Sequence, residues 1–276
     1  MRAIPIVIAC LFLLTSCTPM NVREYQASPY TNNGELVLVV LDSGLCGRNE
    51  SVIRRFVAED YKQHNPMAED GREGLLTFVR SLGGVEVSIT PKRLLIDGDF
   101  VAVHSDVWIG QSHFAVFDLF VVEYGMLREH WDCMQEQPDN GEKSIDLTRG
   151  TTEMADLQKT ESNRTLIERF AKDILIERQL ATLDKYVARC VLEHSLVPFG
   201  QLASGANVDP GQSGKYKTVH RVVAEGNFVL TQSEGEFSGK KAAIYDLWRI
   251  DNGKIVEHWS TIQEVPATSR NKNGMF

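Results

Sequence analysis

Outside its N-terminal end, the 276-residue sequence has no run approaching the ~20 apolar residues of a membrane helix. It also lacks a basic surplus. Lys and Arg number 29 against 37 Asp and Glu, a net charge of -8, which argues against nucleic acid and offers no basic patch to an anionic membrane. Metal-type spacing is missing too: there is no HExxH and no CxxC pair. The Gly-x-Ser-x-Gly elbow, the Walker loop and the GxGxxG fingerprint are also absent, so nucleophilic and nucleotide chemistry have no support. No cofactor and no metal are expected.

What is present begins at the N-terminus. Arg2 precedes an apolar run from Ala3 to Leu14, and Leu14-Thr15-Ser16-Cys17 follows. The run is short for a span but suits the core of a signal peptide, and the four residues resemble a bacterial lipobox. The expectation is a signal peptide over 1–16, a lipidated Cys17 with a tether over 17–32, and an exported chain held in the cell envelope only through its lipid. Thr18 is not the Asp that commonly retains lipoproteins in the inner membrane, which favours the periplasmic side of an outer membrane. Of five cysteines, Cys46, Cys133 and Cys190 would then remain, permitting at most one disulfide. All three read as buried small hydrophobes.

The rest of the chain is a duplication. Arg93–Pro138 aligns without a gap on Arg221–Pro266 at an offset of 128, with 15 identities in 46 positions. Glu129-His130-Trp131 recurs as Glu257-His258-Trp259, and Asp118-Leu119 as Asp246-Leu247. A second block relates Asn33–His64 to Asn163–His194 at offset 130. The domains are therefore placed at 33–138 and 162–267, with a polar linker at 139–161 and a polar tail at 268–276.

Each copy reads as helices followed by an antiparallel meander, an α+β unit with helices on one face of a curved sheet. In the second copy Leu166, Ile167, Phe170, Ile174 and Leu175 recur at helical spacing, with Asn163 as N-cap, and Leu183, Tyr186 and Val187 mark a second short helix. The repeat makes Leu36–Leu41 helical although its valines suit a strand. A third helix is expected over Gly71–Leu82, with Asp70 and Glu73 as a capping box and Gly83-Gly84 as its stop. Its counterpart, Gly200–Gly214, has no helical pattern. Four strands follow, over Val85–Ile96, Phe100–Trp108, His113–Val122 and Met126–Met134, and again at offset 128.

Alternation puts His130 and Asp132 on one face of the last strand, with Glu129 and Trp131 on the other. Asp118 shares its face with Val116 and Phe120, where a carboxylate is costly unless it is paired. Trp131 and Trp259 read as packing residues. His64, after a short helix, and His104 complete a set of five, with Asp118, His130 and Asp132, that would converge in one apolar cavity suited to proton transfer. His130 with Asp132 as metal ligands has no third ligand at fixed spacing.

Tyr61-Lys62-Gln63-His64-Asn65-Pro66, with Asp70-Gly71 and Glu129-His130-Trp131-Asp132, resembles the SnoaL-like polyketide cyclase group of the nuclear transport factor 2-like superfamily. The resemblance covers nearly all of 33–138 and, more loosely, 163–266. It implies two cone-shaped α+β barrels, pairing through their sheets as an intrachain pseudo-dimer. It also implies a pocket Asp/His pair doing aldol-type acid–base chemistry without metal or cofactor. His64, His130 and Asp132 fall on motif positions, and the proton-transfer carboxylate is Asp132 or Asp118. The second copy keeps His194, Asp246 and His258 but has Gln232 for His104 and Ser260 for Asp132. Two readings stand: an enzyme acting through its first copy on a small apolar or carbonyl-containing molecule, or a non-catalytic lipoprotein that binds such a ligand or an envelope protein.

Overall fold

The computed structural model describes residues 32–138, 145–199 and 214–276. The expected signal peptide, Cys17 and all but the last residue of the tether lie outside them, as does nearly all of the Gly200–Gly214 stretch.

The first half opens with helix α1 (Asn33–Val39), which runs on as a π-helical segment over Val40–Cys46, then α2 (Glu50–Phe56). Strand β1 (Val57–Gln63) and helix α3 (Gly71–Ser81) follow, and four long strands complete it: β2 (Val87–Asp97), β3 (Phe100–Ile109), β4 (Ser112–Glu123) and β5 (Met126–Glu136). The second half repeats the plan. Helix α4 (Thr160–Phe170) continues as a π segment over Ala171–Ile176, a 3-10 turn covers Leu180–Lys185, and β6 (Val187–His194) follows. Its meander is β7 (Gly214–Glu225), β8 (Phe228–Phe237), β9 (Lys240–Asp251) and β10 (Lys254–Glu264). The sheets have orders β1-β5-β4-β3-β2 and β6-β10-β9-β8-β7. Two α+β units in tandem are thus the fold, and the helical reading of Leu36–Leu41 holds against its local strand preference.

Three local expectations need correcting. Strands β1 and β6, parallel to β5 and β10, were hidden in stretches expected to be helix or turn, so His64 follows a strand rather than a helix. Asp70 does not cap α3; its carboxylate instead accepts from the Gln63 amide at 2.9 Å. Asn163 lies inside α4, and its side chain donates to the Gly226 carbonyl, as Asn33 donates to Gly98. The repeated asparagine therefore ties a helix to a hairpin by filling a turn carbonyl, which at Gly226 is buried and would otherwise be orphaned.

Each sheet has two apolar faces. One packs on its own helices: Leu36, Val40, Ile53, Phe56 and Leu76 cover Val101, Val103 and Phe120 in the first half. The other packs on the partner sheet, where Phe117, Leu119 and Trp131 meet Phe228, Tyr245, Leu247 and Trp259. That interface is reciprocal. The Met134 amide donates to Gln263 and the Ile262 amide to Gln135, while Ile96 donates to Glu225 and Ala224 to Asp97. Such exchange of equivalent contacts is the signature of an isologous two-fold interface, here within one chain. Cys46, Cys133 and Cys190 are free, and Cys190 is exposed rather than buried. The tail, expected to be a polar end, docks on the first half, with Met275 buried in the shared core.

Candidate functional site

The site lies between the helices and the inner face of the first sheet. Strands β4 and β5 set Asp118 directly across from Asp132 and Phe120 across from His130. Like charges facing each other across a ladder repel, and all three polar side chains are buried. His130 resolves the conflict. Its Nε2 lies 3.0 Å from Asp118 Oδ1, its Nδ1 lies 3.0 Å from Gln63 Oε1, and its ring stacks on Phe120 at 4.5 Å.

The proton count follows from these partners. Gln63 Oε1 also accepts from the Asn65 backbone amide at 2.9 Å, which identifies it as the amide's oxygen, so His130 Nδ1 must carry a hydrogen. The Nε2–Asp118 contact then holds one more proton, on the ring or on the carboxyl. Burial alone would lower the His130 pKa, but the hydrogen bond to Asp118 and the charges of Asp132 and Asp118 outweigh it and leave it raised. The two carboxylates thus shift the ring toward its protonated form.

Asp132 is the uncompensated member. Oδ2 accepts from Asn65 Nδ2 at 2.5 Å, while Oδ1 is buried with no hydrogen-bond partner. Burial raises its pKa, Asp118 adds to the rise, and His130 and Asn65 only partly oppose it. The carboxyl borders a cavity of about 100 Å³ lined by apolar groups, among them Val40, Leu75, Ile89, Val107 and Leu127, with Tyr61 as a further polar wall. That volume falls below the roughly 150 Å³ that admits a benzene ring in an engineered cavity, so the site suits a small, mostly apolar ligand.

Of the five residues expected to converge, three do. His64 and His104 point to the opposite side of the sheet. His64 stacks on Trp131 at 4.5 Å and contacts Glu129 at 2.8 Å. His104 stacks on Phe117 at 4.0 Å, with Nδ1 3.0 Å from the Arg93 guanidinium; burial, and then Arg93, push its pKa well below the ordinary histidine value. In their place stand Tyr61, Gln63 and Asn65. They belong to the quoted motif, but without β1 their common face was not legible.

The second half holds the same plan closed. His258 sits between Glu193 at 2.8 Å and Asp246 at 3.1 Å, and both Asp246 oxygens accept from Tyr216. Tyr216 pairs with Gly235 where Ile89 pairs with Val107 in the first half; the glycine leaves the room that the tyrosine fills. Trp248 stands where the first half has Phe120, and Phe199 packs edge-on against His258. His258 and Asp246 are fully buried. His194 faces the interface, stacked on Trp259 and bonded to Glu257.

Ligand atoms of Asp118, His130 and Asp132 lie within 4.8 Å of one another, close enough to surround a cation. The donor set fits poorly: both ring nitrogens of His130 are already engaged by Gln63 and Asp118, and a metal would have to displace the shared proton.

No curated protein matches the sequence. Several solved structures are similar to part of it. A provisionally named ketosteroid isomerase from Kribbella flavida is 24% identical, covering 40% of this chain and 84% of that one with a TM-score of 0.35. An LEH-like epoxide hydrolase from M. tuberculosis is 19% identical over 37% and 81%, at 0.33. A provisionally named SnoaL-like polyketide cyclase from Jannaschia is 20% identical over 37% and 83%, at 0.32. Residues 44–130 match the family model described as SnoaL-like domain, so this part of the first half is similar to a SnoaL-like domain.

Proposed function

We propose that the first half catalyses acid–base chemistry of the aldol or cyclase type, without a cofactor, on a small and largely apolar carbonyl compound. The second half serves as its structural partner. Asp132 carries this reading: a buried carboxylate with one oxygen unpartnered, facing an apolar cavity. Such an oxygen costs stability and can remove a proton α to a carbonyl. The Tyr61 hydroxyl is the available donor for the enolate oxygen that forms, and the imidazolium, whose two N–H groups are taken by Gln63 and Asp118, lends its charge alone. The lipobox-like Leu14–Cys17 supports an envelope lipoprotein, which labelling with a radioactive fatty acid would test in wild type against Cys17→Ser.

The test of catalysis needs no known substrate. Wild type, Asp132→Asn and Asp118→Asn are incubated in D2O with acetone or butanone, small enough for the cavity, and loss of α-protons is followed by NMR. The expected result is protein-dependent exchange that falls at least 100-fold in Asp132→Asn. Probes that bind in the cavity without exchanging would overturn catalysis in favour of ligand binding alone.

A further inference from the structure

The segment that follows β10 lies against the back of the site. Four backbone carbonyls, one at the end of β1 and three in the β1–α3 loop, accept from it. Asn271 Nδ2 donates to Asn65 O at 2.7 Å and Ala68 O at 3.0 Å, Asn273 Nδ2 donates to Gln63 O at 3.0 Å, and the Arg270 amide donates to Pro66 O at 2.9 Å. Asn273 also reaches Asp70 Oδ1 at 2.8 Å, the oxygen that accepts from the Gln63 amide. Gly274 O meets His64 Nδ1 at 2.7 Å. Downstream, Met275 is buried in the core shared by the halves, and its carbonyl accepts from Gln232. The segment is anchored at both ends in the second half and spans the first.

The linker makes the reciprocal crossing. Asp146 Oδ1 accepts from the Thr148 amide, as Asn271 Oδ1 accepts from the Asn273 amide. Gly150 and Gly274 both have positive φ, 106° and 75°. Arg149 O receives Trp259 Nε1 at 2.6 Å beside His194. Each half thus sends the chain after its last strand over the other half, and only one of these straps backs an open site.

Two residues it grips also belong to that site. Gln63 and Asn65 give their carbonyls to the strap and turn their side chains toward His130 and Asp132. We propose that Asn271 and Asn273 are positioning residues of the first-half site: the second half supplies, through its strap, the hydrogen bonds that aim Gln63 at His130 and Asn65 at Asp132. Buried carbonyls must find donors; without these two amides Asn65 O is left with the Ala68 amide alone and the loop is held less firmly, and a displacement near 1 Å at reacting groups costs roughly 100-fold in rate. The pairing of the two halves then has a use beyond covering apolar sheet.

The proposal rests on the catalytic reading for its rate test but not for its structural one. In full-length protein, the side-chain amide of Asn65 is followed by 15N-resolved NMR in wild type, in Asn271→Ala/Asn273→Ala, and in Lys272→Ala as a control in the same segment. Expected is loss of the hydrogen-bonded Asn65 signal in the double variant and its retention in the control. Exchange of acetone α-protons should fall between about 10- and 100-fold, with no further loss when the double variant is combined with Asn65→Ala. The milder Asn273→Ser is read in parallel, so that a double variant that fails to fold still leaves a decision. An unmoved Asn65 signal in folded variants, or losses that add to those of Asn65→Ala, would overturn the proposal. A wild type that exchanges no probe would remove the catalytic reading, while the Asn65 signal still decides the strap.

Discussion

Arg93 of the first half lies over the ring of Trp259 of the second at 4.0 Å, and Arg221 lies over Trp131 at 3.9 Å in the mirrored position. The two are equivalent by the repeat and share an equivalent side-chain partner, His104 and Gln232, but Arg93 holds backbone carbonyls besides. Arg93 also donates to the carbonyls of Thr148, Arg149 and Thr151, and its burial lowers its pKa to about 10. Arg221 pairs with Gln232 at 2.7 Å. Arg93 is the residue that fastens the linker strap.

Replacing Arg93 with Ala should therefore cost more than replacing Arg221. Loss of the cation–π contact and of three carbonyl partners in a buried setting amounts to about 3 kcal/mol or more, a fall in Tm of roughly 6–12 °C for a chain of this size. Arg221→Ala should lose about half as much. Equal losses would mean that the linker carbonyls find water when Arg93 is gone.

Asp132→Asn separates function from stability. The substitution keeps the shape and removes a buried charge that lies across from Asp118, so Tm should rise, by about 1 kcal/mol of stability, while α-proton exchange disappears. Asp118→Asn should act in the opposite sense, because it strips the imidazolium of its counterion; Tm falls, and the raised His130 pKa drops, as a side-chain 15N titration would record. A lower Tm in Asp132→Asn would assign Asp132 to the fold instead.

The second-half histidine gives a pH dependence. Burial would lower the His258 pKa, but Glu193 and Asp246 overcome it and raise it from 6.5 to about 9. A proton held more tightly in the folded state stabilises fully below pH ~6.5, the unfolded value, and that stability drains away as pH rises through ~9. The shift of 2.5 (9 − 6.5) bounds the contribution at about 3 kcal/mol. Tm should decline between pH 6.5 and 9 in wild type and much less in His258→Gln. A flat wild-type profile would show that the histidine is buried neutral.

Much of this could be read from the residues. The offset of 128 placed eight of the ten strands, because alternation and Gly-containing turns survive duplication. His130, Asp132 and Asp118 were located by facing alone. What escaped was β1, and with it Tyr61, Gln63 and Asn65. Its sequence Val-Ala-Glu-Asp-Tyr-Lys-Gln has two charged residues in mid-strand, because Glu59 and Asp60 sit on a parallel edge open to water, where period-two patterning is weak. His104 was misplaced for a different reason. A buried histidine that faces the partner sheet beside Arg93 of its own sheet has the same local sequence as one lining a pocket, and only the partner sheet distinguishes them. The strap was not legible at all, since Asn271 and Asn273 act through contacts some 200 residues away in sequence.

The closing of the second half lies in its bulk, not in the lost carboxylate. Ser260 occupies the Asp132 position, with its hydroxyl buried and unpartnered, and it is tempting to regard Ser260→Asp as restoring a second site. Tyr216 and Phe199 already fill the space, and Glu193 and Asp246 already flank His258. A third carboxylate there would be a buried charge with no solvent and no free donor, at a cost of several kcal/mol. Ser260→Asp should therefore lower Tm markedly and add no exchange when the first site is silenced by Asp132→Asn. Adding Tyr216→Ala and Phe199→Ala should open a cavity that binds cyclohexanone. If Ser260→Asp alone brought activity to the second half, packing would not be what holds it shut, and the absent aspartate would be sufficient cause.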